Sequence, residues 1–171
     1  MSHQTHKAKQ QPTCCMSQHA DKTELPRSRF HSFWDHLIEF IEQSLFTLAN
    51  QIQEKEPDPA AQIARILAMA LQFGEKNPGM ARVMVGDALV NEHDRLAARM
   101  SQLFERLESA LRQSYKALAD ARGSQTPTVD AQAGASLAIS VLLGRLHRFA
   151  RSDFKRLPTE YLDATVRQLL S

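Results

Sequence analysis

From Phe30 onward the apolar residues return at steps of three and four. Phe30, Trp34, Leu37, Ile41, Leu45, Leu48 and Ile52 form one such stripe, the signature of a long amphipathic helix. Pro57, Asp58 and Pro59 interrupt it, with Asp58 suited to cap the next helix and Pro59 to occupy its first position. The second helix carries Ile63, Ile66, Leu67, Ala70, Leu71 and Phe73 and ends near Glu75–Lys76. There Asn77-Pro78-Gly79 repeats the stop-and-restart signal. A short third helix is expected from Met80 to about Val90, and a long fourth one on the seam Leu96, Met100, Leu103, Leu107, Ala110, Ser114 and Leu118. Residues 122–129, RGSQTPTV, read as a loop. A fifth helix is expected from about Asp130 to Phe154 and a last short one from Pro158 through Leu170. No strand-like alternation occurs, so the pattern predicts an all-α fold, a bundle of six helices over residues 30–171. Residues 1–29 are polar, without apolar periodicity, and read as a disordered segment.

The faces of the first helix hold a second message. At about 100° per residue, Phe33 and Phe40 flank its stripe and Phe46 lies nearly opposite the centre, wider than one buried face requires. Where such an apolar surface is exposed, it marks either a binding site or an aggregation liability.

Composition changes this picture little. With 171 residues the chain suits one domain, and 21 Lys+Arg against 19 Asp+Glu leave a formal net charge of +2, too little for long-range attraction to nucleic acid. No apolar run approaches the ~20 residues that cross a bilayer. The N-terminus lacks an apolar secretory core, and the two cysteines, Cys14 and Cys15, are adjacent, so a cytoplasmic setting and no membrane partner are expected.

Catalytic and cofactor motifs are missing: there is no P-loop, GxGxxG, HExxH, GxSxG or EF-hand loop, and neither an enzyme nor a cofactor is expected. Glu92, His93 and Asp94 are adjacent on a helix start and cannot converge as an acid–base pair. His3, His6, Cys14, Cys15 and His19 match no zinc spacing. Arg145, Arg148, Arg151, Lys155 and Arg156 make a basic stretch at the end of the fifth helix, either complementing its dipole or meeting an acidic partner.

Four blocks carry a family likeness: LIEFIEQSL (37–45), FGEKNPGMARVMVGDALVNEHDRL (73–96), QLFERLESALRQ (102–113) and RFARSDFKRLPTEYLDA (148–164). In this order and spacing they resemble the C-terminal core of the SlmA-type nucleoid occlusion factors, a group of TetR-type regulators. The resemblance implies a dimer that binds palindromic DNA, binds the tubulin-like division protein FtsZ, and inhibits division-ring assembly over the chromosome, with a nucleoid-associated location. It begins at about Asp35. The family's helix-turn-helix is not found in the 34 residues before that point, so the resemblance implies no specific palindrome binding by this chain alone.

The same likeness implies an FtsZ-tail groove beside the first two helices, at Phe40, Met69, Gln72, Lys76 and Asn77, with Lys76 standing where the family has an arginine. For Phe40 ordinary core packing is the competing reading; for Lys76 and Asn77 it is helix-end charge and capping. The resemblance also implies a dimer interface on the last two helices, through the small-residue stretch from Ala131 to Ser140 and its continuation: Gly134, Ala135, Ala138, Val141 and Leu142. The rival function is a TetR-type regulator core sensing a small apolar ligand in a pocket lined by Met69, Phe73, Met80, Met84, Leu103 and Phe104. Few polar groups converge there to orient a ligand.

Overall fold

The computed structural model describes residues 27–86 and 94–171, with side chains from residue 33 onward. Six α-helices follow one another: α1 (Arg27–Lys55), α2 (Pro59–Lys76), α3 (Pro78–Met84), α4 (Asp94–Ala121), α5 (Pro127–Arg151) and α6 (Leu162–Leu169). No strand occurs among the described residues. None of these helices is long and apolar enough to cross a membrane.

The stop signals act through hydrogen bonds. Asp58 accepts from the backbone N–H groups of Ala60 and Ala61, satisfying two donors that the first turn of α2 leaves open, and Pro59 follows it. At the other end Asn77 donates its side-chain amide to the Phe73 carbonyl while Pro78 starts α3. α4 ends at Ala121, and Gly123 just beyond it has a φ of 71°, the left-handed conformation glycine adopts freely; the Ser124 N–H then returns to the Ala119 carbonyl.

Several boundaries differ from expectation; α5, for one, ends at Arg151 rather than near Phe154. α1 begins at Arg27, so residues 27–29 belong to it, while the rest of the segment expected to be disordered lies outside the described residues. α5 begins at Pro127 because the proline occupies its first turn, and Thr126 and Asp130 close the entry with a hydroxyl–carboxylate bond of 3.2 Å. α6 begins only at Leu162, because Tyr161 sits in the left-handed region at φ 55° and breaks the chain direction after Pro158. α3 stops at Met84, short of the expected Val90, with Val85 as its C-cap and Gly86 in the left-handed region at φ 84°; residues 87–90 lie outside the described residues, as do Glu92, His93, His3, His6, Cys14, Cys15 and His19.

One core runs through the bundle. Ile38, Ile41 and Leu45 from α1 meet Ile63, Ile66, Leu67 and Leu71 from α2, Leu103, Leu107 and Leu111 from α4, and Leu142 and Leu146 from α5. The broadest contact joins α4 to α5, which are connected by a short turn. Gly134 makes that approach possible: a Cβ there would stand 2.7 Å from the Tyr115 ring. Tyr115, largely buried, donates its hydroxyl to the Leu169 carbonyl at 3.3 Å, and burial pushes its pKa up to about 12.

α1 is fastened to α4 by charge as well as packing. Arg99 donates to Asp35 at 3.1 Å and to Glu42 at 2.6 Å, carboxylates two turns apart on α1, and Arg95 reaches Asp35 at 2.7 Å. The hydrogen bond from Arg95 is the main influence that holds Asp35 below the usual carboxylate range, with Arg99 adding to it. Phe46 is half-buried on this side with the Arg106 guanidinium 5.3 Å from its ring centre, so its place off the main stripe faces α4.

Candidate partner-binding surface

α1 and α2 form a helical hairpin whose turn at Glu56–Asp58 sets Phe40 roughly level with the C-terminal half of α2. The α1 residues that bury (Ile38, Ile41, Leu45, Ala49) leave the opposite side bare, and there Phe33 and Phe40 stand two turns apart on one line, 59% and 52% exposed. Such exposure of two phenylalanines has no explanation in the core they flank. On α2, Met69, Gln72 and Lys76 project on one face, at steps of three and four. Gln72 and Lys76 are exposed; Met69 is half-buried and leans on the core. Asn77 is engaged in capping α2 through one N–H of its side-chain amide, so it shapes the helix end.

The expected dimer residues separate into two sets. Ala135, Ala138 and Leu142 are buried inside the single chain, at 0%, 0% and 1% exposure, and Gly134 sits against Tyr115. Ala135, Ala138 and Leu142 are therefore taken up by packing inside the chain, and Gly134 by its approach to Tyr115. The physical reason is that small residues permit close helix approach of any kind, and here the approach is within the chain. Val141 is half-buried. The outward side of α5 carries Asp130, Ala133, Leu137, Ser140, Gly144, Arg148 and Arg151, all exposed. Sequence reasoning passed over Leu137 and Gly144, although their spacing of seven residues places them on one line of the helix.

After α5 the chain makes a hook. Asp153 and Phe154 take left-handed backbone angles, φ 54° and 61°, and Phe154 packs edge-on against Phe149 at 5.1 Å while Arg82 covers its ring at 4.9 Å. Arg145 turns back into this hook. It donates to the Pro158 and Glu160 carbonyls at 2.9 and 2.5 Å and to the Thr165 hydroxyl. Burial, with the nearby charge of Arg148, lowers its pKa.

The tetracycline repressor-like C-terminal domain of the SlmA-like group matches residues 58–171. The chain belongs to that family. It is 44% identical over 131 residues to the nucleoid occlusion factors SlmA of Idiomarina loihiensis, of Klebsiella pneumoniae subsp. pneumoniae and of Escherichia coli strain K12 / DH10B. Those 131 residues are 77% of this chain and 66% of each relative, so the chain spans just under two thirds of their length.

Within this SlmA-like domain the residues of the ligand-sensing alternative are mostly core. Leu103 and Met84 are 1% and 2% exposed, and Phe73, Met80 and Met69 pack against the same cluster. Met84 and Phe104 border an open cleft of about 410 Å³ whose mouth also holds Glu105, Glu108 and His147. An enclosed apolar chamber lined by all six is not what the packing makes. Membership in the SlmA-like group favours the regulatory, partner-binding reading over the sensor. Among the described residues no group of three or more His, Cys, Asp or Glu could hold a metal ion.

Proposed function

We propose that this chain is a nucleoid occlusion factor core that pairs with a second copy and antagonises assembly of the FtsZ division ring over the chromosome. One observation carries the proposal: Phe40 stands half in solvent on the outer side of α1, near the level of Lys76, in a domain of the SlmA-like group. The tail of the division protein lies along α1 and α2. Phe40 and the exposed part of Met69 supply apolar contact, Gln72 supplies amide hydrogen bonds, and Lys76 steers the tail's acidic residues at the rim. Asn77 acts indirectly, by fixing where α2 stops. Association with the nucleoid belongs to the whole assembly, in the cytoplasm, and residues 27–171 supply its pairing and partner surfaces.

A titration with an FtsZ C-terminal tail peptide tests this. The wild-type chain is expected to saturate, and Phe40→Ala to weaken binding by about tenfold or more, as for an aromatic anchor. Lys76→Glu is expected to slow association at low salt more than it speeds dissociation. Failure of the wild type to saturate, or unchanged binding by both variants, overturns the assignment.

A further inference from the structure

Three arginines that the core leaves in solvent gather at the C-terminal end of α5. Arg148 and Arg151 leave its last turn, and Arg156 lies beyond the helix. The hook brings Arg156 back to the other two. Asp153 and Phe154 turn the chain through the left-handed region, and the Ser152 hydroxyl accepts the Arg156 backbone N–H at 2.9 Å while donating to the Phe149 carbonyl at 3.0 Å. His147, Arg148, Arg151, Ser152 and Arg156 then line one open concavity of about 650 Å³.

This gathering works against the chain's own energetics. Two successive non-glycine residues in left-handed backbone are strained, and the strain serves to bring cations together. The crowding is already felt by Arg145, whose pKa is lowered first by burial and then by the charge of Arg148. Neutralisation from within is slight. Arg148 reaches Glu160 only at 3.8 Å, and Arg151 and Arg156 enter no salt bridge among the described residues. Asp153, exposed in the same turn, does not line the concavity, and Glu105 and Glu108 border a different cleft on the far side of His147. The dipole of α5 accounts for cations in its last turn but not for Arg156, which lies past it. A concave wall of one sign focuses its field on an anion.

We infer that this concavity binds a small ligand carrying linked phosphates, of the polyphosphate or nucleoside triphosphate class, held by the guanidinium groups of Arg148, Arg151 and Arg156. Guanidinium forks match pairs of phosphate oxygens, and three fixed cations around a space of this size suit a chain of phosphates better than one. Ser152 acts through Arg156, by fixing the backbone that carries it. The wall stands before the ligand arrives. Arg145 ties the hook to the Pro158 and Glu160 carbonyls, Arg82 covers the Phe154 ring, and the Thr159 hydroxyl donates to Glu75 on α2, so little ordering is left for binding to supply. The site is separate from the tail groove and rests neither on that groove nor on pairing.

Calorimetric titration of the full wild-type chain at fixed ionic strength tests this, with tripolyphosphate, orthophosphate, sulfate and adenosine triphosphate as probes. Tripolyphosphate is expected to saturate, at least about tenfold more tightly than orthophosphate or sulfate. Arg151→Gln and Arg156→Gln, at unchanged helicity, are each expected to weaken it by about tenfold or more, the loss of a charge-assisted contact. Lys116→Gln removes the same formal charge from α4, where Lys116 pairs with Asp120, and is expected to bind as the wild type does. Tighter binding of adenosine triphosphate than of tripolyphosphate supports a nucleotide as the ligand; equal binding supports the phosphate chain alone. Absence of saturation below about millimolar tripolyphosphate overturns the site. An equal loss in Lys116→Gln also overturns it, by reducing the binding to net charge. A nonspecific duplex bound through Arg151 and Arg156 by a chain that ignores tripolyphosphate overturns the small ligand in favour of a nucleic-acid surface.

Discussion

Two glycines on α5, ten residues apart, stand in opposite surroundings and should respond oppositely to the same change. Gly134→Ala sets a methyl group 2.7 Å from the Tyr115 ring, so the α4–α5 contact must open. A loss of about 1–3 kcal/mol in urea unfolding is expected. Gly144→Ala meets open space and gains helix propensity, so the monomer should be stabilised by about 0.5–1 kcal/mol in the same assay. Tyr115 gives a further readout. Its phenol is protonated in the fold beyond the pH at which the unfolded chain ionises, so stability is intact below about pH 10 and falls as pH rises toward about 12. Tyr115→Phe should remove that alkaline loss, seen as a flatter stability curve, while forfeiting the hydrogen bond to Leu169.

Between helices, the fastening of α1 to α4 depends on ionised carboxylates. Asp35 is held below its usual range, so its contribution is present above the unfolded-state pKa of about 3.9 and is lost as pH falls through the lower folded value. Arg99→Met is expected to be less stable than wild type near neutrality. The gap should narrow as the pH is lowered through the depressed folded value of Asp35, where that carboxyl takes up its proton and releases the arginines. The C-terminal hook is held differently, by Arg145 bonds to two carbonyls and a hydroxyl. Arg145→Met should therefore free residues 158–165 and raise their cleavage by a nonspecific protease, with a stability loss of about 1.5–3 kcal/mol.

At the scale of the molecule, the large exposed apolar side chains among the described residues fall into two groups: Phe33, Phe40 and Leu48 on α1, and Val129, Leu137, Leu157 and Tyr161 on α5 and the turn after it. Two separate surfaces imply separable defects. Phe40→Ala should leave sedimentation unchanged, and Leu137→Lys should leave tail-peptide affinity unchanged while weakening pairing. Much of this arrangement was legible in the chain. The helix count followed from apolar spacing, and the ends at Asp58 and Asn77–Pro78 from capping chemistry. That Phe33 and Phe40 lie off the main stripe followed from their angle to it, whereas core packing of Phe40 stayed open until its 52% exposure was seen. The inward assignment of Gly134, Ala135, Ala138 and Leu142 was not legible, because an alanine-rich face looks the same whether the neighbour belongs to its own chain or another. The late start of α6 was hidden as well, since a left-handed Tyr161 breaks no rule that composition records.

The short turn between α4 and α5 has a kinetic consequence. Gly123 and Thr126 close it within a few residues, so the largest contact of the fold forms at low loop-closure entropy. That hairpin is expected to assemble first, with α1 adding late because its charge partners on α4 lie some 60 residues away in sequence. Gly134→Ala should then slow refolding, whereas Ile41→Val in α1 should chiefly hasten unfolding. Stopped-flow refolding of the two variants would separate them: equal retardation of refolding by both would mean that α1 is already docked when the barrier is crossed.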